Sequence, residues 1–189
     1  MNLWNIKSHI YSLRTSSFFA WILNTEKNNL RELVRKVDNI PGMILDIGTG
    51  IGHTLDILPD AKQIICLDRS VGMLNKVNHK KQLNLKLAAD AFYLPFKDNS
   101  FSFVSCIGVS EYLTNLIFLY LEVNRILKDN GYFLTTISPP KLWNGLRRFS
   151  GNRLYTVSAK FAQDTAHNTG FEEMGKLHSL MQCQYLFKK

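Results

Sequence analysis

The sequence has little cysteine, and the three cysteines it has, Cys66, Cys106 and Cys183, lie far apart in 189 residues. It contains no Cys-x-x-Cys pair and no Cys/His spacing typical of a zinc site. Each cysteine lies in an apolar, strand-like stretch, so we expect buried free thiols of the kind found in a reducing compartment. The pattern predicts no metal site.

The chain also lacks a long hydrophobic run. Residues 18–23 are apolar, but polar Asn24, Glu26 and Lys27 follow closely, without a small-residue cleavage site. The run is therefore unlike a secretory signal and far shorter than the ~20 residues of a membrane helix. These absences predict a cytoplasmic protein.

Acidic residues are outnumbered: Asp and Glu total 15 against 23 Lys and Arg, giving a net charge of +8. An excess of positive charge favours anionic partners, which include acidic substrates, membrane surfaces and nucleic acids, and charge alone does not choose among them. With 46% hydrophobic residues, a chain of this length fits a single domain over residues 1–189.

An apolar, strand-like run contains Asp46 and then breaks into Gly48, Gly50 and Gly52. Closely spaced glycines let the backbone turn with positive φ and let a ligand approach closely. A dinucleotide fingerprint would need Gly or Ala at position 53, where this chain has His53. Taken alone, the loop is either a nucleotide cradle of another kind or a tight turn after a buried strand.

The order of apolar runs and helical stripes predicts an α/β fold with a doubly wound, Rossmann-like sheet of seven strands. We expect it to be mostly parallel, with an antiparallel hairpin at its C-terminal end. Helices are predicted from Thr25 and over 53–58, 73–82, 115–127 (ended by a left-handed Gly131) and 158–168. After the glycine-loop strand, strands are predicted over 63–67, 85–88, 101–107, 132–137, 172–177 and 182–187.

Acidic residues follow the second and third predicted strands. Asp68 lies twenty residues after Gly48, and Asp90 follows the next strand. Ligands of such sheets bind at the carboxyl ends of the strands, where these acids, the glycine loop and Ile107-Gly108 should meet. Asp68 fits either a ribose-binding acid or a helix cap near Ser70, and its spacing from the glycines favours ribose.

Several motifs in order resemble class I S-adenosylmethionine-dependent methyltransferases, in particular the small-molecule group (methyltransferase type 11) that includes ubiquinone and menaquinone biosynthesis enzymes. The resemblance runs from about residue 40 to the C-terminus. One departure is Ser102, where the family often has Asp. The motifs are Ile44-Leu-Asp-Ile-Gly-Thr-Gly-Ile-Gly52, Leu67-Asp-Arg-Ser-x-x-Met-Leu74, Ala89-Asp-Ala91, Leu94-Pro-Phe-x-Asp-Asn-Ser-Phe101, Glu122-x-x-Arg-Ile-Leu-Lys-x-x-Gly131 and Thr169-Gly-Phe171.

The resemblance implies S-adenosylmethionine as cofactor. It places the methionine part at the glycine loop, the ribose at Asp68, the adenine between Arg69 and Asp90, and the sulfonium beside Gly108. The implied cofactor-binding residues are Asp46, Gly48, Thr49, Gly50, Gly52, Asp68, Arg69, Met73, Asp90, Ala91, Ile107 and Gly108.

Methyl transfer from a sulfonium is an in-line displacement, so alignment supplies much of the rate and a general base is optional. Where the acceptor needs a base, the candidates are Glu111 and Tyr112, after the fourth strand, and His53. Glu111 and Tyr112 fit a catalytic and a scaffold role equally well. For His53 a surface position on the first turn of the predicted helix is the simpler interpretation.

Two segments are candidates for substrate binding: the N-terminal helical or lid segment 1–40 and an insertion over 139–153. The aromatic-rich part of the first segment, residues 1–24, is either an amphipathic segment packed on the domain or a lid over a substrate pocket. The insertion carries Trp143, Arg147 and Arg148. They are either a solvated basic loop or a site for an anionic head group or an anionic membrane surface. An apolar or anionic small molecule, such as a lipid or a prenylated precursor, would suit both segments.

Two other functions stay open. The same scaffold occurs as a non-catalytic, methyltransferase-like binding subunit, which intact glycines and acids argue against. DNA is not expected as a substrate, because the Pro-Pro tetrapeptide of amino-methylating DNA enzymes is replaced by Gly108-Val-Ser-Glu111 after the fourth strand. This argument does not exclude RNA, and nothing in the sequence specifies the oligomeric state.

Overall fold

The computed structural model describes residues 17–38, 40, 42–78, 84–140 and 155–189. Its helices are α1 (Ser17–Val34), α2 (Val71–Leu74), α3 (Leu116–Ile126) and α4 (Ala159–Asn168), with a short 3₁₀ helix at Ser110–Tyr112. Its strands are β1 (Met43–Ile47), β2 (Gln63–Asp68), β3 (Asn84–Ala88), β4 (Phe101–Cys106), β5 (Leu127–Ile137), β6 (Glu172–His178) and β7 (Cys183–Lys188).

The strands form one seven-stranded sheet in the order β3-β2-β1-β4-β5-β7-β6. Neighbours from β3 to β5 are parallel, whereas β7 is antiparallel to both β5 and β6. The predicted doubly wound sheet with an antiparallel C-terminal hairpin is therefore confirmed. The strand order reverses between β1 and β4, and a crevice for ligands is expected at that point.

Both faces of the sheet are buried. Alternate residues of β5 point to opposite faces, so Phe133 belongs to one apolar core and Leu134 to the other. The first core also contains Leu119 of α3 and Ala162 of α4, and the second contains Leu30 of α1. Covering both faces explains why the inner strands are apolar almost throughout.

Two of the predicted helix starts are confirmed by their caps. The Oδ1 atom of Asn115 accepts hydrogen bonds from the main-chain nitrogens of Ile117 and Phe118 at 3.1 and 3.3 Å. The Oγ atom of Ser158 accepts one from the main-chain nitrogen of Phe161 at 3.1 Å. Each cap satisfies N–H groups that have no partner within the first helical turn.

The prediction that a helix begins at Thr25 is wrong, because α1 already begins at Ser17. Thr25 lies inside the helix, where its hydroxyl donates to the carbonyl oxygen of Trp21 at 3.0 Å. Inside a helix, a threonine hydroxyl can donate to the carbonyl oxygen four residues earlier. A residue type common at helix caps is therefore also accommodated in the interior.

The predicted helix over 53–58 is also wrong: these residues form successive turns. The main-chain nitrogens of Leu55 and Ile57 donate to the carbonyls three residues earlier, Gly52 and Thr54, at 3.3 and 3.0 Å. Because Leu55, Ile57 and Leu58 are all buried, the apolar spacing serves a tight packed turn rather than one helical face.

The second predicted helix, over 73–82, is α2 and covers only Val71–Leu74. Ser70 caps it, since its Oγ accepts from the main-chain nitrogen of Met73 at 3.2 Å. Residues 75–78 are not helical, and 79–83 lie outside the described residues. Asn75 ends the helix after a single turn.

The left-handed residue in this region is Asn130, inside β5, with φ of 62°, and not Gly131 as predicted. Asparagine tolerates this conformation better than most residues. Gly131 is required for a different reason: a Cβ there would lie 2.8 Å from the carbonyl oxygen of Lys128 and 3.2 Å from that of Ser102. Lack of space, rather than backbone conformation, selects glycine at position 131.

Candidate active site

A cavity of about 370 Å³ opens at the carboxyl ends of β1, β2 and β4, at the point where the strand order reverses. Its volume is within the range of small-molecule sites. It is lined by Ile47, Gly48, Thr49, Gly50, Ile51, His53, Thr54, Leu67, Asp68, Arg69, Met73, Ala89, Asp90, Ala91, Phe92, Ile107, Gly108, Val109, Tyr112, Leu113 and Thr114.

The cavity brings together all the residues predicted to bind a cofactor except Asp46 and Gly52. Gly52 lies behind the loop, where a Cβ would meet Leu55 at 3.0 Å and Val77 at 3.4 Å. Its φ of 88° shows that this glycine is needed to turn the chain. Asp46 lies below the floor of the cavity.

The glycine loop is fastened to the neighbouring strand. The main-chain nitrogens of Gly48 and Thr49 both donate to the carbonyl oxygen of Leu67, at 2.6 and 3.1 Å. Gly50 has φ of 57°, and the nearest atom to a Cβ built on it would be 4.0 Å away. Its missing side chain therefore leaves open space beside the backbone of the loop.

Asp68 connects β2 to this loop. One carboxylate oxygen accepts from the main-chain nitrogen of Gly50 at 2.9 Å, and the other accepts from that of Ser70 at 2.8 Å. Burial raises the pKa of Asp68, and the two backbone hydrogen bonds oppose the rise. Each oxygen has a second lone pair, so the carboxylate can still accept hydrogen bonds from a ligand.

Asp46 is 1% exposed. Ser105 donates to its Oδ1 at 2.6 Å, and Thr49 donates to its main-chain oxygen at 2.8 Å. Burial raises the pKa of Asp46 to about 6, although the hydrogen bond from Ser105 lowers it. Its Oδ2 is buried without a hydrogen-bond partner in the described part of the chain. Asp46 is thus an acid held at an energetic cost directly beneath the glycine loop.

Asp90 is exposed at the opposite side of the cavity, and its Oδ1 accepts from the main-chain nitrogen of Phe92 at 3.0 Å. The loop that follows is held by Arg125, which donates to the carbonyl oxygens of Leu94 and Phe96 at 3.0 and 2.8 Å. Arg125 also makes two hydrogen bonds to Glu122, at 2.8 and 2.9 Å.

This arrangement explains why the motif with Glu122 and Arg125 occurs together with the one that starts at Leu94. Glu122 accepts in turn from the main-chain nitrogen of Leu94 at 3.1 Å. The hydrogen bond from Arg125 holds the pKa of Glu122 below its usual range, and the pKa of Arg125 is raised. Sequence reasoning identified the two motifs but missed that one guanidinium connects them.

The three candidate bases lie in different places. Tyr112 and His53 line the cavity, and His53 is exposed. Glu111 is buried, does not line the cavity, and accepts from the main-chain nitrogen of Tyr155 at 2.7 Å through its main-chain oxygen.

Sequence reasoning missed several lining residues, among them Ile51, Thr54, Phe92, Leu113 and Thr114. In the sequence, the feature that points to these residues is that they lie within two positions of predicted site residues.

Trp143, Arg147 and Arg148 lie outside the described residues, as do 1–16 of the predicted lid and 141–154, which contain most of the predicted insertion. Among the residues that are described, no helix combines the length and the hydrophobicity needed to span a bilayer. Within the same ranges, no three His, Cys, Asp or Glu side chains are grouped so that they could hold a metal ion.

Comparison with known protein families indicates which kind of domain forms the cavity. Residues 45–135, from β1 into β5, match the family described as methyltransferase domain. This stretch, just under half of the chain, is similar to a methyltransferase domain. S-adenosylmethionine is the cofactor that goes with this family.

Two curated relatives resemble the methyltransferase domain. The chain is 35% identical over 106 residues to an uncharacterised protein of Methanocaldococcus jannaschii, an alignment that covers 56% of this chain and 45% of that protein. It is 33% identical over 100 residues to the malonyl-[acyl-carrier protein] O-methyltransferase of Geobacter sulfurreducens, covering 49% and 37%. The chain thus spans less than half the length of these relatives.

A solved structure extends the likeness in fold beyond the methyltransferase domain. Magnesium protoporphyrin IX methyltransferase from Synechocystis, with bound S-adenosylhomocysteine, superposes with a TM-score of 0.71. The superposition covers 93% of this chain and 88% of that one, at 14% sequence identity. At this identity the likeness concerns the fold alone.

The cavity of the methyltransferase domain fits S-adenosylmethionine in two respects. At Gly50 and at Gly108, a Cβ would meet no described atom closer than 4.0 and 3.9 Å, so both positions leave room for a ligand against the backbone. The half-buried carboxylate of Asp68 lines the same cavity and is an acceptor suited to ribose hydroxyls.

Proposed function

We propose that this protein transfers a methyl group from S-adenosylmethionine to a small-molecule acceptor. The observation that carries the proposal is the carboxylate of Asp68, held by the main-chain nitrogen of Gly50 inside a cavity that a methyltransferase domain forms. The relative that methylates malonyl-[acyl-carrier protein] and the fold neighbour that methylates a porphyrin support a non-nucleic-acid acceptor.

In this proposal each part of the cavity has its own role. Asp68 accepts from the ribose hydroxyls, while Gly48, Thr49 and Gly50 border the methionine part. Asp90, Ala91, Arg69 and Met73 enclose the adenine. Asp46 and Gly52 act indirectly, because they shape the loop from behind. Ile107 and Gly108 border the sulfonium.

S-adenosylmethionine, when bound, supplies an electrophilic methyl group on a sulfonium. The protein has to hold the acceptor in line with that group and keep water out, and alignment alone can supply effective molarities of about 10⁵–10⁸ M. Val109 and Leu113 provide apolar wall next to Gly108. Tyr112 lines the same wall, and in its phenolate form it is our candidate for receiving a proton from the acceptor, whereas buried Glu111 acts as scaffold.

An acceptor with an apolar body suits this wall. A lipid or a prenylated precursor, with any anionic group recognised by Arg147 and Arg148 beside Trp143, remains the proposed class. Contact with a membrane through the same basic and aromatic segment belongs to the same proposal.

The test is calorimetric titration with S-adenosylhomocysteine, followed by transfer of tritiated methyl groups to lipid extracts, aromatic acceptors and total RNA. Asp68→Ala should abolish binding, and Asp60→Ala, which removes an exposed acid before β2, should not. Absence of binding to the wild type would overturn the proposal. Binding without transfer to any acceptor would favour the non-catalytic binding subunit, and transfer to RNA alone would favour an RNA methyltransferase.

A further inference from the structure

Two glutamine side chains, Gln182 and Gln184, lie beside the proposed cofactor site without a known role, and we call them the amide pair. Gln182 lies immediately before β7 and Gln184 is the second residue of that strand, so we expect the two side chains to share one face of the sheet. Both are buried. Glutamine is rarely buried, and a buried polar side chain is costly unless it has a partner.

The amide pair lies close to Gly108, which lines the cavity, although neither glutamine lines the cavity itself. The Nε2 atom of Gln182 is 3.9 Å from the point where a Cβ on Gly108 would lie. Gln184 pairs in register with Thr136 of β5, and the hydroxyl oxygen of Thr136 accepts from the main-chain nitrogen of Gly108 at 2.8 Å. Gly108 is therefore common to the proposed cofactor site and to the surroundings of the amide pair.

Gln184 has an unused donor. It is 0% exposed, and its Nε2 atom has no hydrogen-bond partner among the described residues. Its Oε1 accepts from the Nδ2 of Asn29 at 3.3 Å. The same nitrogen of Asn29 donates to the carbonyl oxygen of His178 at 3.1 Å. Because a carbonyl oxygen can only accept, the Asn29 atom that faces both His178 and Gln184 is the amide nitrogen. This second bond fixes which end of Gln184 faces Asn29, and the amide nitrogen of Gln184 is left to find another partner.

Gln182 has an unused donor as well. Its main chain bonds to Ser179, but its side-chain amide makes no hydrogen bond with the described part of the chain. Leaving a buried donor unsatisfied costs about 1–3 kcal/mol. The buried, unsatisfied donor of Gln184 and the unpaired, less buried amide of Gln182 near Gly108 together indicate a ligand with oxygen atoms to offer.

The surroundings of the amide pair favour an uncharged group of the ligand at this position. Glu26 is 9% exposed and lies three residues before Asn29 on α1, thus on the same side of that helix. Its Oε1 accepts from the hydroxyl of Ser179 at 3.0 Å, so its carboxyl group belongs to the same cluster as the amide pair. A second carboxylate would be repelled there.

We infer that the amide pair binds uncharged oxygen atoms, carbonyl or hydroxyl, of the methyl acceptor. The inference rests on the proposed function and deepens it, since it assigns the acceptor side of the cavity to β7 and α1. Gln182 contacts the acceptor at the Gly108 wall, and Gln184 contacts it further along the strand. A site built to hydrogen-bond a substrate oxygen discriminates strongly against analogues that lack it.

The test uses the ¹⁵N-labelled full chain saturated with S-adenosylhomocysteine and three probes: para-butylphenol, para-butylbenzoate and butylbenzene. The side-chain amide signals of Gln182 and Gln184 are assigned from Gln182→Met and Gln184→Met. Para-butylphenol should shift both signals, and butylbenzene should shift neither. The double variant should weaken binding of para-butylphenol by about tenfold or more and leave the S-adenosylhomocysteine affinity within about twofold.

Gln163→Met is the matched control, since Gln163 lies on α4 and its amide donates to Glu173 at 2.7 Å. It should change none of these values. The inference is overturned if the cofactor product binds but para-butylphenol moves neither amide signal, which would leave the pair holding buried water only. Larger shifts of the two amide signals with para-butylbenzoate than with para-butylphenol would also overturn it. If S-adenosylhomocysteine itself does not bind, the proposed function fails, and the inference fails with it.

Discussion

The main-chain nitrogen of Gly50 donates to the carboxylate of Asp68 at 2.9 Å, across the ends of β1 and β2. The glycine loop and the acid proposed to bind ribose are therefore directly connected. A change in either residue should alter the position of the other. The first prediction follows from this coupling.

Gly50→Ala should leave the protein folded but weaken S-adenosylhomocysteine binding by about tenfold or more, since the new methyl group enters the cavity. Gly170→Ala is the control for backbone strain, because Gly170 also has a positive φ, 87°, and does not line the cavity. Both variants should lose about 1–2 kcal/mol of stability. Calorimetry and urea unfolding measure the two effects separately, and equal affinities in the two variants would contradict the prediction.

Asp46 should make stability depend on pH. Its pKa in the folded protein, about 6, is above the ordinary value of 3.8, so the folded state holds the proton more tightly than the unfolded state. The stability that this provides is complete below pH 3.8 and is lost as the pH rises through 6. This difference in pKa between the folded and unfolded states corresponds to about 3 kcal/mol of folding free energy.

Asp46→Asn should remove that dependence. The free energy of unfolding of the variant minus that of the wild type should therefore increase by up to about 3 kcal/mol from pH 4 to pH 7. Any constant cost of the buried amide does not alter this slope. Denaturant titrations across the range measure it, with Asp129→Asn, at an exposed position, as control. Parallel curves for Asp46→Asn and wild type would refute the assignment.

Arg125→Lys should destabilise the protein by about 2 kcal/mol, because lysine cannot reproduce the paired hydrogen bonds to Glu122 together with those to two carbonyls. Since these bonds hold the loop after Asp90, cofactor affinity should also fall. Arg35→Lys, at an exposed position, should change neither quantity. Thermal unfolding with and without S-adenosylhomocysteine is the measurement, and wild-type values for Arg125→Lys would count against the role given to this residue.

Tyr112→Phe should lower kcat by at least about tenfold if Tyr112 receives a proton from the acceptor, and should flatten the rise of kcat with pH. The KM for S-adenosylmethionine should not change, because the phenyl ring still forms the wall. Tyr93→Phe is the control, since Tyr93 is exposed and does not line the cavity. An unchanged pH profile in Tyr112→Phe would assign this residue to the wall alone.

The sequence allowed the sheet and most of the proposed cofactor site to be predicted, because local rules determine both. Apolar runs ended by Asp68 and Asp90 define strand ends, and parallel strands bring those ends to one edge. Asn115 and Ser158 mark helix starts through a hydrogen bond within the same few residues.

What could not be predicted depends on contacts distant in sequence. The turns over 53–58 follow from packing of Leu55 and Ile57 into the core, which outweighs helical spacing. The unpaired donor of Gln184 becomes apparent only in the folded chain, where Asn29, 155 residues earlier, donates to the other end of the same amide group. No short sequence window contains that information.

The place of β7 between β5 and β6 has a consequence for synthesis of the chain. β6 leaves the ribosome before β7 does, yet all of its pairing in the sheet is to β7. Until residues 183–188 have emerged, β6 has no partner strand in the described sheet, while β1 to β5 can already pair. The nascent domain therefore completes its acceptor-side wall last, after the residues proposed to hold the cofactor are in place.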